Sequence, residues 1–339
     1  VAEQAGVSLG TVSNVLNRPD SVSEQTRQRV LAVIERLGYV RSESARQLRA
    51  GRSRIIALLV LDMANPFFVE MARGAQQAAR AAGLAVMMCN SAADPAEEAD
   101  YLAMFAEQQV RGVLVTPTGD GAAGGRLHVL RSRGIPFVYA DRAQPSAEAC
   151  SVSVDDVAGG RLAVRHLLTE GHRKVVYLSG PAHLAQSRDR HAGALAAFAE
   201  AGLPPDRLTV LEAARFDVTA GREAAARLLG MADRPTAVFC ANDLLALGVL
   251  QALYAAGLRV PEEMAIVGYD DIDFAAAAAV PLTSVRQPAH RIGRTAAELL
   301  IAETDETGEG APAAHAHQRI VFQPELVVRA SSLSGHRRP

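Results

Sequence analysis

Val1-Ala-Glu-Gln-Ala-Gly-Val-Ser-Leu-Gly-Thr-Val-Ser-Asn-Val-Leu-Asn17 reads as a helix, a tight turn and a second helix. Ala2 and Ala5 are small enough to let two helices cross closely, Gly6 supplies the turn, and Ser8 stands where a side-chain oxygen caps the next helix. Val12, Val15 and Leu16 then face inward. Leu9, Gly10, Ser13, Asn14 and Asn17 are left on the outside, beside Ser8 and Thr11. A short helix presented in this way is the part of such a motif that enters the major groove of DNA.

Working outward, Ser23-Glu24 opens a third helical stretch in which Val30, Ile34 and Leu37 recur at helical spacing before Gly38. Ser42 to Gly51 has a leading serine, good helix formers and a closing glycine, yet it is too short to be a stable helix alone. The pattern V-A-x-x-A-G-V-S-x-x-T-V-S over Val1 to Ser13 resembles the DNA-binding headpiece of the LacI/GalR bacterial repressors. The resemblance continues through Tyr39 to Leu48 and, more loosely, to about residue 330. It begins part-way into the family's first helix.

That resemblance implies a headpiece over residues 1–40 and a hinge over 41–52 that orders on operator DNA. Leu48 would be a minor-groove wedge, flanked by Arg46 and Arg49, with Ala45, Leu48 and Arg49 among the DNA contacts. Gly10 has no side chain at a usual base-reading position, so specificity falls on Leu9 and Asn14. The chain lacks the terminal heptad helix of tetrameric members, so the implied assembly is a homodimer.

Composition agrees with a protein of several parts. At 339 residues and 49% hydrophobic content there is material for two sizeable cores and a small extra module. The net charge of −2 argues against nonspecific coating of nucleic acid, but residues 1–52 hold eight arginines against five acids and are net +3. A basic module on an acidic body fits localised phosphate contact. No apolar run is long enough for a membrane span, and no signal peptide precedes Val1, so a cytoplasmic, nucleoid-associated protein without membrane partners is expected. Cys89, Cys150 and Cys240 are widely spaced in or beside apolar runs and read as buried thiols.

Beyond Gly51 the pattern alternates strands and helices. Strands are expected at 55–61, 84–89, 112–116, 136–140, 174–179, 208–212, 237–240 and 264–268, the signature of doubly wound parallel sheets. There are too many units for one sheet. The resemblance to the repressors and to periplasmic sugar-binding proteins implies an effector domain over 53–330 divided by three crossings. Its N-subdomain would cover 53–152 and 283–312, and its C-subdomain 154–282 and 313–330. Thr304 to His317 reads as a loose loop, 318–321 and 325–328 as closing strands, and 331–339 as a disordered tail.

Ligands of open parallel sheets bind beyond the carboxyl ends of the strands. Asp62, Asp141, Asn242 and Asp270 fall at such ends. The resemblance implies Asp141 and Asp270 as hydroxyl acceptors, Asn242 as an amide contact, Arg190 as a bidentate donor, Phe68 and Phe216 as walls, and Thr116 as a further contact. Asp62, Asp156 and Asp243 read instead as helix-end residues. Leu184, Gln186, Ser187 and Arg188 are expected on a loop after Gly180-Pro181. The Asp, Asn and Arg set suits a sugar; Phe67, Phe68 and Phe216 could instead sandwich a nucleoside or purine.

Two enzyme patterns match literally. Gly6-Val-Ser-Leu-Gly10 satisfies G-x-S-x-G but has a helix where a nucleophile elbow needs a strand. Gly119-Asp-Gly-Ala-Ala-Gly124 satisfies G-x-G-x-x-G after a strand, though Pro117-Thr118 intervenes and the unit is the third. His172, His315 and His317 show no metal spacing in the chain. The reading is therefore a non-enzyme without cofactor or metal: a sequence-specific transcription regulator, a repressor, that binds a near-palindromic operator as a dimer and is controlled by a small molecule in the cleft. The alternatives are a plain sugar- or nucleoside-binding module and a dinucleotide-dependent enzyme.

Overall fold

Ser8 opens the second helix as its position requires. Its backbone is extended (φ −71°, ψ 157°) and its Oγ accepts the Thr11 amide at 3.0 Å. The computed structural model describes residues 1–39, 53–119, 123–143, 148–306 and 315–333. Helices α1 (Ala2–Ala5), α2 (Leu9–Asn17) and α3 (Glu24–Arg36) form the first of two units, Val1–Ser53 and Arg54–Pro339. Gly6, at φ 63°, turns the chain between α1 and α2 in a conformation that costs glycine little.

Ala5, Val12, Val15, Val30 and Val33 make the core of this unit, with Leu16 and Ile34 at its edge. Of the expected stripe, Val30 is buried and Ile34 packs at the core's edge, while Val33 and not Leu37 completes it. Leu37 lies past the last turn of α3 and is exposed. Arg36 Nη2 donates to Gln4 Oε1 at 3.0 Å and ties α3 back to α1. The expected hinge, with Ala45, Leu48 and Arg49, lies outside the described residues.

The second unit runs β1 (Ile55–Val60), α4 (Pro66–Ala81), β2 (Ala85–Asn90), α5 (Pro95–Glu107), β3 (Gly112–Val115), α6 (Ala123–Arg126), α7 (His128–Ser132), β4 (Phe137–Ala140) and β5 (Ser151–Val154). It continues with α8 (Asp156–Thr169), β6 (Val175–Ser179), α9 (Ala185–Glu200), β7 (Leu208–Glu212), α10 (Val218–Leu229), β8 (Ala237–Cys240), α11 (Asp243–Ala255) and β9 (Ala265–Asp270). It ends with α12 (Asp273–Ala277), β10 (Thr283–Arg286), α13 (Ala289–Glu306), β11 (Arg319–Phe322) and β12 (Glu325–Val327).

Two six-stranded sheets result, in the orders β11-β5-β4-β3-β1-β2 and β12-β10-β9-β8-β6-β7. The pairings are parallel except that of β10 with β12. Near-continuous burial along β1, β3, β6, β8 and β9 is what helices on both faces of a sheet impose.

Four of the expected boundaries move. β10 pairs with β9, Thr283 opposite Val267, so 283–286 belongs to the C-terminal sheet and the chain recrosses after it. β11 pairs with β5, Arg319 opposite Ser151, so these residues belong to the N-terminal sheet. Ser331 and Ser332, expected in a disordered tail, are buried. Ser331 Oγ donates to Ile266 O at 2.7 Å and Ser332 Oγ lies 2.6 Å from Thr283 Oγ1. Thr304 to Glu306 extend α13 and are not loop. Strand pairing and backbone satisfaction set these limits, and neither is visible in local periodicity.

Helix pairs pack through glycine. A Cβ on Gly74 of α4 would lie 1.9 Å from His290 O, and one on Gly293 of α13 would lie 1.8 Å from Met71 O. The same device recurs at Gly160 with Gly193 and at Gly221 with Gly248. These close approaches fix how helices cover each sheet, and so where the strand ends open.

Candidate functional site

The outward face of α2 is as the sequence reading has it. Leu9 is 81% exposed, and Ser8, Gly10, Asn14 and Asn17 are exposed, while Thr11 and Ser13 are half-buried. Ser8 and Thr11 hydroxyls lie 3.0 Å apart, and Asn17 Nδ2 donates to Ser13 O at 2.7 Å. The result is a short polar ridge with one large apolar side chain, Leu9, presented to solvent.

The second site is a cavity of about 360 Å³ at the carboxyl ends of the strands, lined from both subdomains. Phe68, Asp141, Arg190, Phe216, Asn242 and Asp270 all line it. Thr116 does not: its hydroxyl is buried and donates to Ala140 O at 2.9 Å, tying β3 to β4. Its expected role as a contact is therefore corrected to a strand tie.

Asp141 and Asp270 both occupy left-handed backbone, at φ 59° and φ 100°, which is costly for residues other than glycine and is held here by the surrounding fold. Asp270 Oδ1 accepts from Gln287 Nε2 at 2.7 Å and its Oδ2 from Asn65 Nδ2 at 2.9 Å. Asn65 also caps α4, its Oδ1 accepting the Phe67 amide at 3.0 Å. Gln186 Nε2 reaches Asp141 O and Oδ2, each at 3.2 Å. The Asn65–Asp270 and Gln186–Asp141 bonds thus latch the subdomains together. Among the described residues, Asp141 Oδ1 and Gln287 Oε1 are buried without a hydrogen-bond partner.

Sequence reading missed Asn65 and Gln287. An Asn-Pro pair announces a cap, and nothing local tells that the same amide crosses to another sheet. Gln186 and Ser187 were expected on a loop and instead sit in the first turn of α9, which starts at Ala185. Arg188 folds back on its own segment, donating to Ala182 O and His183 O. Asp62 accepts the Ala64 amide at 2.9 Å, and Asp243 accepts from Ile272 N and Ser284 Oγ, both fold-holding roles.

Arg190 is 3% exposed. Its Nε pairs with Asp156 Oδ1 at 2.8 Å, its Nη1 donates to Ala241 O at 2.6 Å, and its guanidinium stacks 3.7 Å over the Tyr269 ring. Nε and Nη1 each donate within the protein, and the engaged Nε closes the Nε–Nη2 fork, which corrects the expectation of Arg190 as a bidentate donor to ligand through that fork. Asn242 is likewise engaged, as the cap of α11 and donor to Phe216 O.

Burial weighs against the Arg190 charge, but Asp156, Tyr269, Asp270 and Asp141 more than offset it and raise its pKa. Burial also raises Asp270. Asp141 is pushed up to about 8, by burial first and then by the neighbouring Asp156 charge, with Arg190 opposing. Folded Asp141 therefore holds its proton more tightly than an unfolded aspartate near 3.8. Its share of stability is full below that value and is lost as pH rises through about 8. We expect the melting temperature to fall between about pH 5 and about pH 9, and less steeply in Asp141→Asn, as calorimetry at both ends would read. Equal slopes in the two proteins would rule out Asp141 as the source.

Residues 120–122 of the G-x-G-x-x-G match lie outside the described residues. The helix that follows, α6, has four residues. His315 and His317 fare differently from their reading in the chain: with Cys150 and Glu303 their ligand atoms lie within 4.8 Å of one another, which corrects the expectation that no metal-like grouping exists.

Residues 1–42 match the family described as bacterial regulatory proteins, lacI family, and residues 164–332 match a periplasmic binding protein-like domain. The HTH-type transcriptional repressor PurR of Photobacterium profundum is 35% identical over 334 residues, 98% of this chain and 97% of that protein. The chain belongs to the LacI family. The crystal structure of the lac repressor dimer bound to operator and the anti-inducer ONPF matches with TM-score 0.82 at 26% identity, over 98% of each chain. A transcriptional regulator CelR–cellobiose complex matches with TM-score 0.72 at 33% identity, over 97% of this chain and 98% of that one. This LacI-family chain is accordingly a DNA-binding transcriptional repressor with a ligand-binding effector domain, and not an enzyme. Among the described residues no helix is long and apolar enough to cross a membrane.

Proposed function

We propose that two copies of this chain bind a near-palindromic operator, in the cytoplasm and on the nucleoid, and that a sugar in the cleft sets their affinity for it. The α2 ridge of Ser8, Leu9, Gly10, Thr11, Ser13, Asn14 and Asn17 reads the major groove, and Ala45, Leu48 and Arg49 add the hinge contacts. Phe68, Asp141, Arg190, Phe216, Asn242 and Asp270 form the effector site.

The observation that carries the sugar is Asp141 Oδ1, buried without a partner in a cavity with aromatic walls. A sugar hydroxyl satisfies that oxygen, and the ring's apolar face rests on Phe68 or Phe216. The cellobiose bound to a relative of similar length supports this class of ligand. A purine or nucleoside is the second reading, favoured by the three phenylalanines Phe67, Phe68 and Phe216 around one cavity. Either ligand shifts DNA affinity by differing in its affinity for latched and open forms of the cleft.

The test is binding of full-length protein to DNA from its own upstream region, at fixed salt, with sugars and nucleosides added in turn. A specific complex shifted by one sugar is the expected result; a shift by a nucleoside alone would replace the sugar reading, and no specific complex would sink the operator reading. In the same assay Asn14→Ala relaxes base preference at one position of each half-site by roughly 1–3 kcal/mol. Uniform weakening on all DNA sequences would make Asn14 a backbone contact.

A further inference from the structure

We infer that Cys150, Glu303, His315 and His317 form a binding site for a zinc-class divalent ion, separate from the effector cleft. The four residues come from three places in the chain. Cys150 precedes β5, Glu303 lies in the last turn of α13, and His315 and His317 lead into β11.

The sheet itself assembles this set. β5 and β11 pair in parallel with Ser151 opposite Arg319, and the pairing extends one step back, where Ser151 N donates to Gln318 O and Gln318 N donates to Cys150 Sγ at 3.3 Å. That register sets His317 beside the thiol. His315 and His317 are two apart, the spacing that puts alternate side chains of an extended chain on one side, and their rings lie 5.4 Å apart. Cys150 Sγ is 3.3 Å from His315 Nε2 and 3.9 Å from His317 Nδ1.

Those separations suit a metal. With zinc–sulfur and zinc–nitrogen bonds of about 2.3 and about 2.05 Å, a tetrahedral ion holds its sulfur and nitrogen ligands about 3.6 Å apart. The two observed distances bracket that edge, and all four donor atoms lie within 4.8 Å of one another. A thiolate, two imidazoles and a carboxylate suit zinc, cobalt(II) or nickel(II), whereas calcium and magnesium demand oxygen donors. Four protein ligands close the coordination shell, so the site would be structural. On binding, the Cys150 thiol gives up its proton to solvent and a sulfur–metal bond forms.

The place in the fold says what the ion would do. Cys150 and the two histidines stand at the amino-terminal ends of parallel strands, the opposite end from the cleft. There the ion would fasten α13 to the β5–β11 edge of the N-terminal sheet. It would raise thermal stability without entering the effector site.

The experiment uses full-length protein without a histidine tag, stripped with chelator and titrated with cobalt(II), then with zinc in competition with a chromophoric chelator. One equivalent of cobalt is expected to give a thiolate charge-transfer band and the strong visible bands of a tetrahedral ion. Cys150→Ser should abolish the charge-transfer band, and Cys89→Ser should leave it. His317→Ala, at an exposed position that spares the core, should weaken zinc by at least about tenfold. Absence of saturable binding by the unaltered protein, a charge-transfer band that survives Cys150→Ser, or zinc affinity unmoved by His317→Ala would each overturn the assignment.

Discussion

Arg190→Ala is expected to lower the unfolding free energy by roughly 3–5 kcal/mol, as is found when one partner of a buried ion pair is removed. The side chains of Arg190 and Asp156 are 4% and 10% exposed. Without the guanidinium, Asp156 keeps a buried charge with its main counter-ion gone, Ala241 O loses a donor at 2.6 Å, and Tyr269 loses the cation stacked on its face. Asp141 and Asp270 lose the same nearby positive charge, which raises the cost of ionising either. Urea unfolding would measure the loss. Asp156→Asn in the same chain should recover part of it, because the stranded charge is then gone. A loss under about 1 kcal/mol for the single variant would show that the pair contributes no more than a surface bridge. The ligand response should disappear as well, as a consequence of the collapsed charge arrangement.

Gly293→Ala should cost about 3 kcal/mol, the upper end of what overpacking takes. One added Cβ would sit 1.8 Å from Met71 O and 2.7 Å from Met71 C. Those atoms belong to the backbone of α4 and cannot swing aside as a flexible side chain would, so α4 and α13 must separate along their contact. Facing it, Gly74→Ala meets His290 O at 1.9 Å and should cost a similar amount. The double variant is expected to fall short of the sum, because helices already pushed apart by one methyl admit the second more cheaply. Thermal or urea unfolding of the three proteins checks this. Full additivity would mean that each methyl is absorbed locally and that the helices do not move.

Much of the molecule was legible from local chemistry. Ser8, Gly6 and the spacing of Val12 and Val15 sufficed for α1 and α2, because a cap, a left-handed turn and an apolar stripe each act within a few residues. The alternation of apolar runs with helical stretches was enough for two parallel sheets. Asp141, Asn242 and Asp270 could be placed at a cleft because strand ends are where parallel sheets open. Arg190 was placed at the cleft as well, though its Nε and Nη1 turned out to be engaged within the protein.

Other features depended on partners distant in the chain. Residues 283–286 and 319–322 went to the wrong subdomain because a short strand carries no mark of the sheet it will join; only its hydrogen bonds with β9 or β5 decide that. Thr116 sits at a strand end like the cleft residues, yet its hydroxyl turns to Ala140 O. Asn65 stands before Pro66 as a helix cap would and Gln287 follows β10, and nothing local in either stretch tells that both amides reach Asp270.

The sequence by itself determined the helix-turn-helix, the parallel sheets and the family, because caps, turns and periodic burial are short-range and repeat along the chain. Only the tertiary structure decided which carboxylate oxygen stays unpaired, which amides latch the subdomains, and that Cys150, Glu303, His315 and His317 meet. Those facts depend on strand register and helix crossing, where residues up to 205 positions apart, as Asn65 and Asp270 are, come within hydrogen-bonding distance.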